Sequence, residues 1–270
     1  MTSPSIDSSL YQRPSELLQR LVRFDTTNPP GDEAECIAGA DGIVIEAGSR
    51  ATLDGNTLLG GGPISIVDAS EPLIEDNALT GGSAIWGIAG DEAIVRGNTI
   101  SGASDDAIHM GGPGGGTIER NVITDTPVGV VIGSDDELNS SLTVRDNLVS
   151  GARIGINVIA SGGTPAIQGN ELSGNATGIL IARADATISG NYVHDNGSGI
   201  SVDRGSPNLE GNTIEDNKVG VAILMPAAKP TLSGNRLCGN ETNFRLMRNV
   251  EMPATDGNDI CPDAVAAVSE

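Results

Sequence analysis

The side chains in this 270-residue chain best suited to chemistry are two histidines, a few runs of carboxylates and three cysteines. His109 follows Asp105 and Asp106 within the segment SDDAIHM (104–110). Paired carboxylates beside an imidazole suit acid–base work on a sugar. The plainer reading is a solvated turn: with Ile108 and Met110 pointing inward from a strand, His109 points outward and the two aspartates sit at the preceding turn. His194 is followed by Asp195 and lies too far along the chain to share a site with His109. Asp135, Asp136 and Glu137 form an acidic run that can hold Ca²⁺ or make a solvated bulge, and calcium is the only cofactor the residues suggest. Trp86 and Tyr192 are isolated from each other, whereas a sugar-binding face usually carries a row of aromatic rings.

These side chains need a scaffold, and an internal repeat specifies one. An apolar residue, two residues, Asn, one residue and a second apolar residue recur as LDGNTL (53–58), IEDNAL, VRGNTI, IERNVI, VRDNLV, IQGNEL, ISGNYV, LEGNTI and LSGNRL. The asparagines are Asn56, Asn77, Asn98, Asn121, Asn147, Asn170, Asn191, Asn212 and Asn235, with a degenerate tenth copy at Asn258. About eight residues after several of them comes Gly followed by alternating aliphatics, as in GINV (155–158) and GISV (199–202). Period-two alternation with β-branched residues predicts short half-buried strands, at least two per coil. The recurring Asn is expected to tolerate left-handed backbone at a corner and to bond its counterparts in adjacent coils, with Gly55, Gly97, Gly169, Gly190, Gly211 and Gly234 easing the bend just before it.

The predicted fold is therefore all-β: a single-stranded right-handed parallel β-helix of about ten coils, on the order of 45 Å long at the usual strand spacing. A leucine-rich repeat shares the apolar and Asn spacing but needs a helical segment where this chain has Gly-led strands and turns. Residues 14–24 (PSELLQRLVRF) place Leu17, Leu18, Leu21 and Val22 on one helical face and predict a capping helix over the first coil. The expected division is a capping helix and loop over 1–38, the β-helix over 39–262 and a tail over 263–270.

Cys238 and Cys261 each lie three residues after a repeat asparagine, so they stack on neighbouring coils at a separation that suits a disulfide. That pair reads either as a staple formed in an oxidising, extracytoplasmic setting or as two reduced thiols in a reducing one; Cys36 stays unpaired. Residues 1–12 lack the pattern of a secretory signal, and no apolar run is long enough to span a membrane. The formal charge of −21 argues against nucleic acid and membrane partners, and it repels polyanionic sugars unless a cation bridges them.

The repeats over about 40–261 resemble the right-handed parallel β-helix repeat family that includes NosD-like and pectate-lyase-like proteins, and NRLCGNETNF with GNDIC is similar to the closing coils of bacterial members. That resemblance implies a fold but not one activity, because the family mixes lyases, epimerases, hydrolases and non-catalytic modules. Asp105 and Asp106 are similar to the Asp pair of polygalacturonases, whose Asn-Thr-Asp, Gly-His-Gly and Arg-x-Lys pieces are missing here. Residues 13–36 resemble the amino terminus of the metallopeptidase family containing acetylornithine deacetylase and succinyl-diaminopimelate desuccinylase. Neither histidine makes the H-x-D motif its zinc pair needs.

The leading functional expectation is a non-catalytic module presenting a flat face to carbohydrate or protein. The alternatives are a polysaccharide lyase, epimerase or hydrolase working at Asp105, Asp106 and His109, and an inactive remnant of a zinc deacylase. Arg120 and Arg153 are the only cations expected near that surface. An ice-binding face is excluded by the broken column Thr57, Ala78, Thr99, Val122, Leu148, Glu171, Tyr192 and Thr213.

Overall fold

The computed structural model describes residues 37–39, 42–46, 48–60, 62–82, 84–89, 92–111, 114–133, 141–159 and 163–264. The capping helix expected at 14–24, the acidic run 135–137 and Cys36 fall outside these residues. Each coil but the last has three strands, in keeping with the expected minimum of two. They stack into three sheets of eleven, ten and nine strands, and no helix occurs among the described residues.

The first sheet, here sheet A, runs from Gly42–Ile45 to Thr242–Leu246, with Ile37–Gly39 folded back antiparallel on its first strand. Sheet B runs from Thr52–Asp54 to Thr231–Ser233, and sheet C from Thr57–Leu59 to Asp259–Ile260. Within each coil the chain passes from A to B to C. Pairing between successive coils is parallel and in register, so like positions stack: Ile74 on Val95, Val95 on Ile118, Ile118 on Val144. The repeat motif spans two strands, its first apolar residue centring a strand of sheet B and its second a strand of sheet C, with Asn at the corner between them.

Strands of B and C are three residues long, save the two-residue Asp259–Ile260, and the middle residue of each three-residue strand turns inward. Sheet A contributes two inward aliphatics per coil, such as Ile108 with Met110 or Ile200 with Val202. The resulting core of Ile, Val and Leu is almost solvent-free and needs no large rings. Each such side chain contributes about 1.5–3 kcal/mol by leaving water.

The asparagines line the corner as expected. Asn191 Nδ2 donates to Asn212 Oδ1 at 2.9 Å and to Ile167 O at 2.9 Å, while its own Oδ1 accepts from the Asn170 backbone N and Nδ2, both at 2.9 Å. One amide thus ties together three coils. The left-handed conformation, however, belongs to the residue before each asparagine: Gly55, Asp76, Gly97, Arg120, Asp146, Gly169, Gly190, Gly211, Gly234 and Gly257 all have positive φ. The ladder needs the Asn side chain turned inward from ordinary backbone, so the reversal falls one residue earlier.

A second ladder occupies the corner from sheet C to sheet A. Asn175, Asn196, Asn217 and Asn240 bond Nδ2 to Oδ1 in sequence at 3.0–3.1 Å. Their counterparts in earlier coils are the buried Ala103, Thr126 and Ala152.

Candidate functional site

His109 lies in the middle of Asp106–Gly111, a strand of sheet A, with Ile108 and Met110 fully buried on either side of it. Alternation therefore turns its ring outward, as the sequence predicts. Asp106 opens this strand rather than belonging to the turn, and its Oδ2 lies 2.9 Å from His109 Nδ1. Exposed Asp105 remains in the turn, so the structure brings together Asp106 and His109 but not an aspartate pair. On the other side of the ring, Nε2 faces the carbonyl of Gly133 at 3.2 Å, contributed by the next coil.

Two acceptors therefore flank one imidazole, and both bonds form only when each nitrogen carries a proton. Both ring nitrogens thus face a neighbouring oxygen, one from the same coil and one from the next.

Trp86 pairs with His109 in register on the preceding strand, at a centroid distance of 6.1 Å and an interplanar angle of 69°. Its indole is 51% exposed, the most open ring on this face. The outward column of sheet A continues from Ser65 through Trp86 and His109 to Val131, Asn157, Leu180, Ser201 and Ala222. Val131, Ser201 and Ala222 are each no more than 5% exposed, so the open part of the column is centred on Trp86.

His194 ends Tyr192–His194 in sheet C, so it belongs to another face of the prism as well as to a distant coil. Its Nδ1 lies 2.7 Å from Asp195 Oδ2, and its Nε2 is shielded without a hydrogen-bond partner, 3.5 Å from Glu171 Oε1. Tyr192 stacks on it at 4.1 Å. Partial burial of Tyr192, followed by the charges of Glu215, Asp216, Asp195 and Glu171, pushes its hydroxyl above the usual pKa. Among the described residues Trp86 and Tyr192, the two exposed aromatics, thus each have a histidine partner, a pairing hidden in the sequence except as the Tyr-x-His spacing at 192–194.

Arg120 does not reach the His109 surface. It sits at the corner from B to C and bonds Glu119, which Arg145 also engages from the next coil. The Glu119 side chain is only 6% exposed. Burial raises its pKa, but the bond from Arg120 and the charge of Arg145 outweigh this and hold it below the ordinary glutamate value. Glu75 and Arg96 form a similar pair two coils earlier, with Arg96 Nε donating at 2.7 Å. Arg153 lies at the entry to sheet A, where its backbone N–H bonds Pro127 O.

Cys238 and Cys261 are joined by a disulfide across the last two coils, with Cα atoms 4.8 Å apart. No helix among the described residues is long and apolar enough to cross a membrane.

Comparison with known proteins agrees with this architecture. No curated protein matches the chain. Among solved structures, a double mutant of the periplasmic alginate epimerase AlgG is similar in fold, with a TM-score of 0.66 at 17% identity over 83% of this chain and 62% of that one. This chain therefore spans less than two thirds of that protein's length. The family model described as "Right handed beta helix region" matches residues 34–170 and 83–237. Residues 13–36, with their deacetylase-like sequence, lie almost wholly before that match. By the extent of the match, the chain belongs to the right-handed β-helix region family.

Proposed function

We propose that this protein is a non-catalytic binding module, and that the Trp86, Asp106 and His109 surface of sheet A receives an extended carbohydrate. One observation carries the reading: a half-exposed indole stands beside a histidine whose two nitrogens are both engaged. Such a surface offers a stacking ring and polar neighbours for hydroxyl groups, with the imidazole tied to its own neighbours. The charge of −21 favours a neutral or cationic glycan over a polyuronate. A protein segment is the other ligand this face suits. The Cys238–Cys261 bond supports an oxidising, extracytoplasmic setting.

A second reading has one specific observation behind it, the fold shared with a carbohydrate epimerase. On that reading Asp106 and His109 act on the sugar, with a bridging cation if the substrate is anionic. A glycan array separates the candidates. The protein is expected to retain neutral or amino-sugar polymers, and Trp86→Ala is expected to lose at least about tenfold in affinity while keeping its far-ultraviolet spectrum. Undiminished retention by Trp86→Ala would remove this face from the account.

A further inference from the structure

The last two coils gather donor atoms that a covalent staple alone does not require. Cys238 ends Arg236–Cys238, and that strand pairs in parallel with Asp259–Ile260, just before Cys261. Asp259 and Cys261 are two residues apart and face the same way. Both sulfur atoms and a carboxylate oxygen of Asp259 lie within 4.8 Å of one another. Cys238 is buried and Asp259 is exposed, so the group has a protected side and an open side. Cys261 also lines an open surface hollow of about 460 Å³ shared with Phe244, Met252 and Asp263.

We propose that, after reduction of the disulfide, Cys238, Cys261 and Asp259 hold one thiophilic divalent cation of the zinc or cadmium class. A dithiol reductant delivers two electrons and two protons to the S–S bond and itself closes to a disulfide. The incoming ion then displaces the two thiol protons, and water fills the fourth position. Zinc takes sulfur at about 2.3 Å and carboxylate oxygen at about 2.0–2.2 Å, so its donors must stand roughly 3–4 Å apart. Strands already stacked with Cα atoms 4.8 Å apart reach that spacing by side-chain rotation alone.

Arg236 Nη1 donates to Asp259 Oδ2 at 2.7 Å, which leaves the other carboxylate oxygen for the ion. Glu215 takes up part of that guanidinium's charge through a second bond at 2.7 Å. Two thiolates select zinc-class ions over calcium. Bridge and ion use the same sulfur atoms, so the two states exclude each other.

The test is a cobalt titration of reduced protein carrying Cys36→Ser, which removes the third thiol. A sulfur-to-cobalt charge-transfer band saturating at one ion per chain, and bleached by zinc, is expected. The oxidised protein is expected to show no band, and Cys261→Ser to lose it. Asp259→Asn keeps both cysteines and reports on the carboxylate independently of folding; its affinity is expected to fall at least about tenfold. Absence of the band in reduced protein, unchanged affinity in Asp259→Asn, or collapse of the β-sheet signal on reduction would each overturn the proposal.

Discussion

The side chain of a ladder asparagine such as Asn191 makes four hydrogen bonds inside the protein, and none of its polar atoms depends on water. Asn191→Ala strands the carbonyl of Ile167 and the Asn170 donors in a dry corner, and is expected to cost about 2–4 kcal/mol. A urea midpoint would measure this, and a loss under about 1 kcal/mol would mean the ladder is ornamental. Glu119 sets an acid limit. Its folded pKa lies below the ordinary value of 4.5, so it contributes stability that is fully present above that value and disappears as pH falls through the folded pKa. Glu119→Gln is expected to flatten stability against pH below about 4.5 relative to the parent, as read by denaturation at a series of pH values. At this scale the repeating Asn was legible because its spacing is regular. The left-handed position before it was less so, because Gly, Asp and Arg all occupy it. The second ladder announces itself as an Asn five residues after the first, but only in the last four full coils. The Gly133 partner of His109 comes from 24 residues away, where no local pattern could show it.

The repeat exposes the elements unevenly. Gly-led strands of sheet A are long enough to show alternation, whereas a three-residue strand with one inward residue has no period to detect, so two such strands read as one motif around an Asn. The glycine that opens the sheet A pattern is there for close approach. A Cβ on Gly199 would meet Gly220 O at 2.7 Å and the Ile214 side chain at 2.9 Å. Gly199→Ala is therefore expected to destabilise by about 1–3 kcal/mol, visible as a lower melting temperature. Coils interact mainly with their neighbours, so damage at one end should remain local. The Cys238–Cys261 bond closes a separation of 23 residues, and opening it should cost about 3 kcal/mol. Hydrogen exchange would place that loss in the last coils while amides near Ile167 and Ile188 stay protected.

At the scale of the whole molecule, the fold was readable because a solenoid repeats its instructions in every coil, and the family match covers the same repeats. The function was not readable in the same way. A β-helix hosts many chemistries, and a site is a local departure from the repeat, here a single indole and one Asp–His pair. What decides between binding and turnover is the Asp106–His109 pair, whose imidazole also faces the Gly133 carbonyl. The direct measurement is proton NMR of neutral, amino-sugar and calcium-bridged uronate polymers incubated with the parent protein and with Asp106→Ala. Anomeric and vinylic signals are expected to stay unchanged with either protein. New reducing ends, unsaturated residues or inverted sugars that appear with the parent and vanish with Asp106→Ala would contradict it.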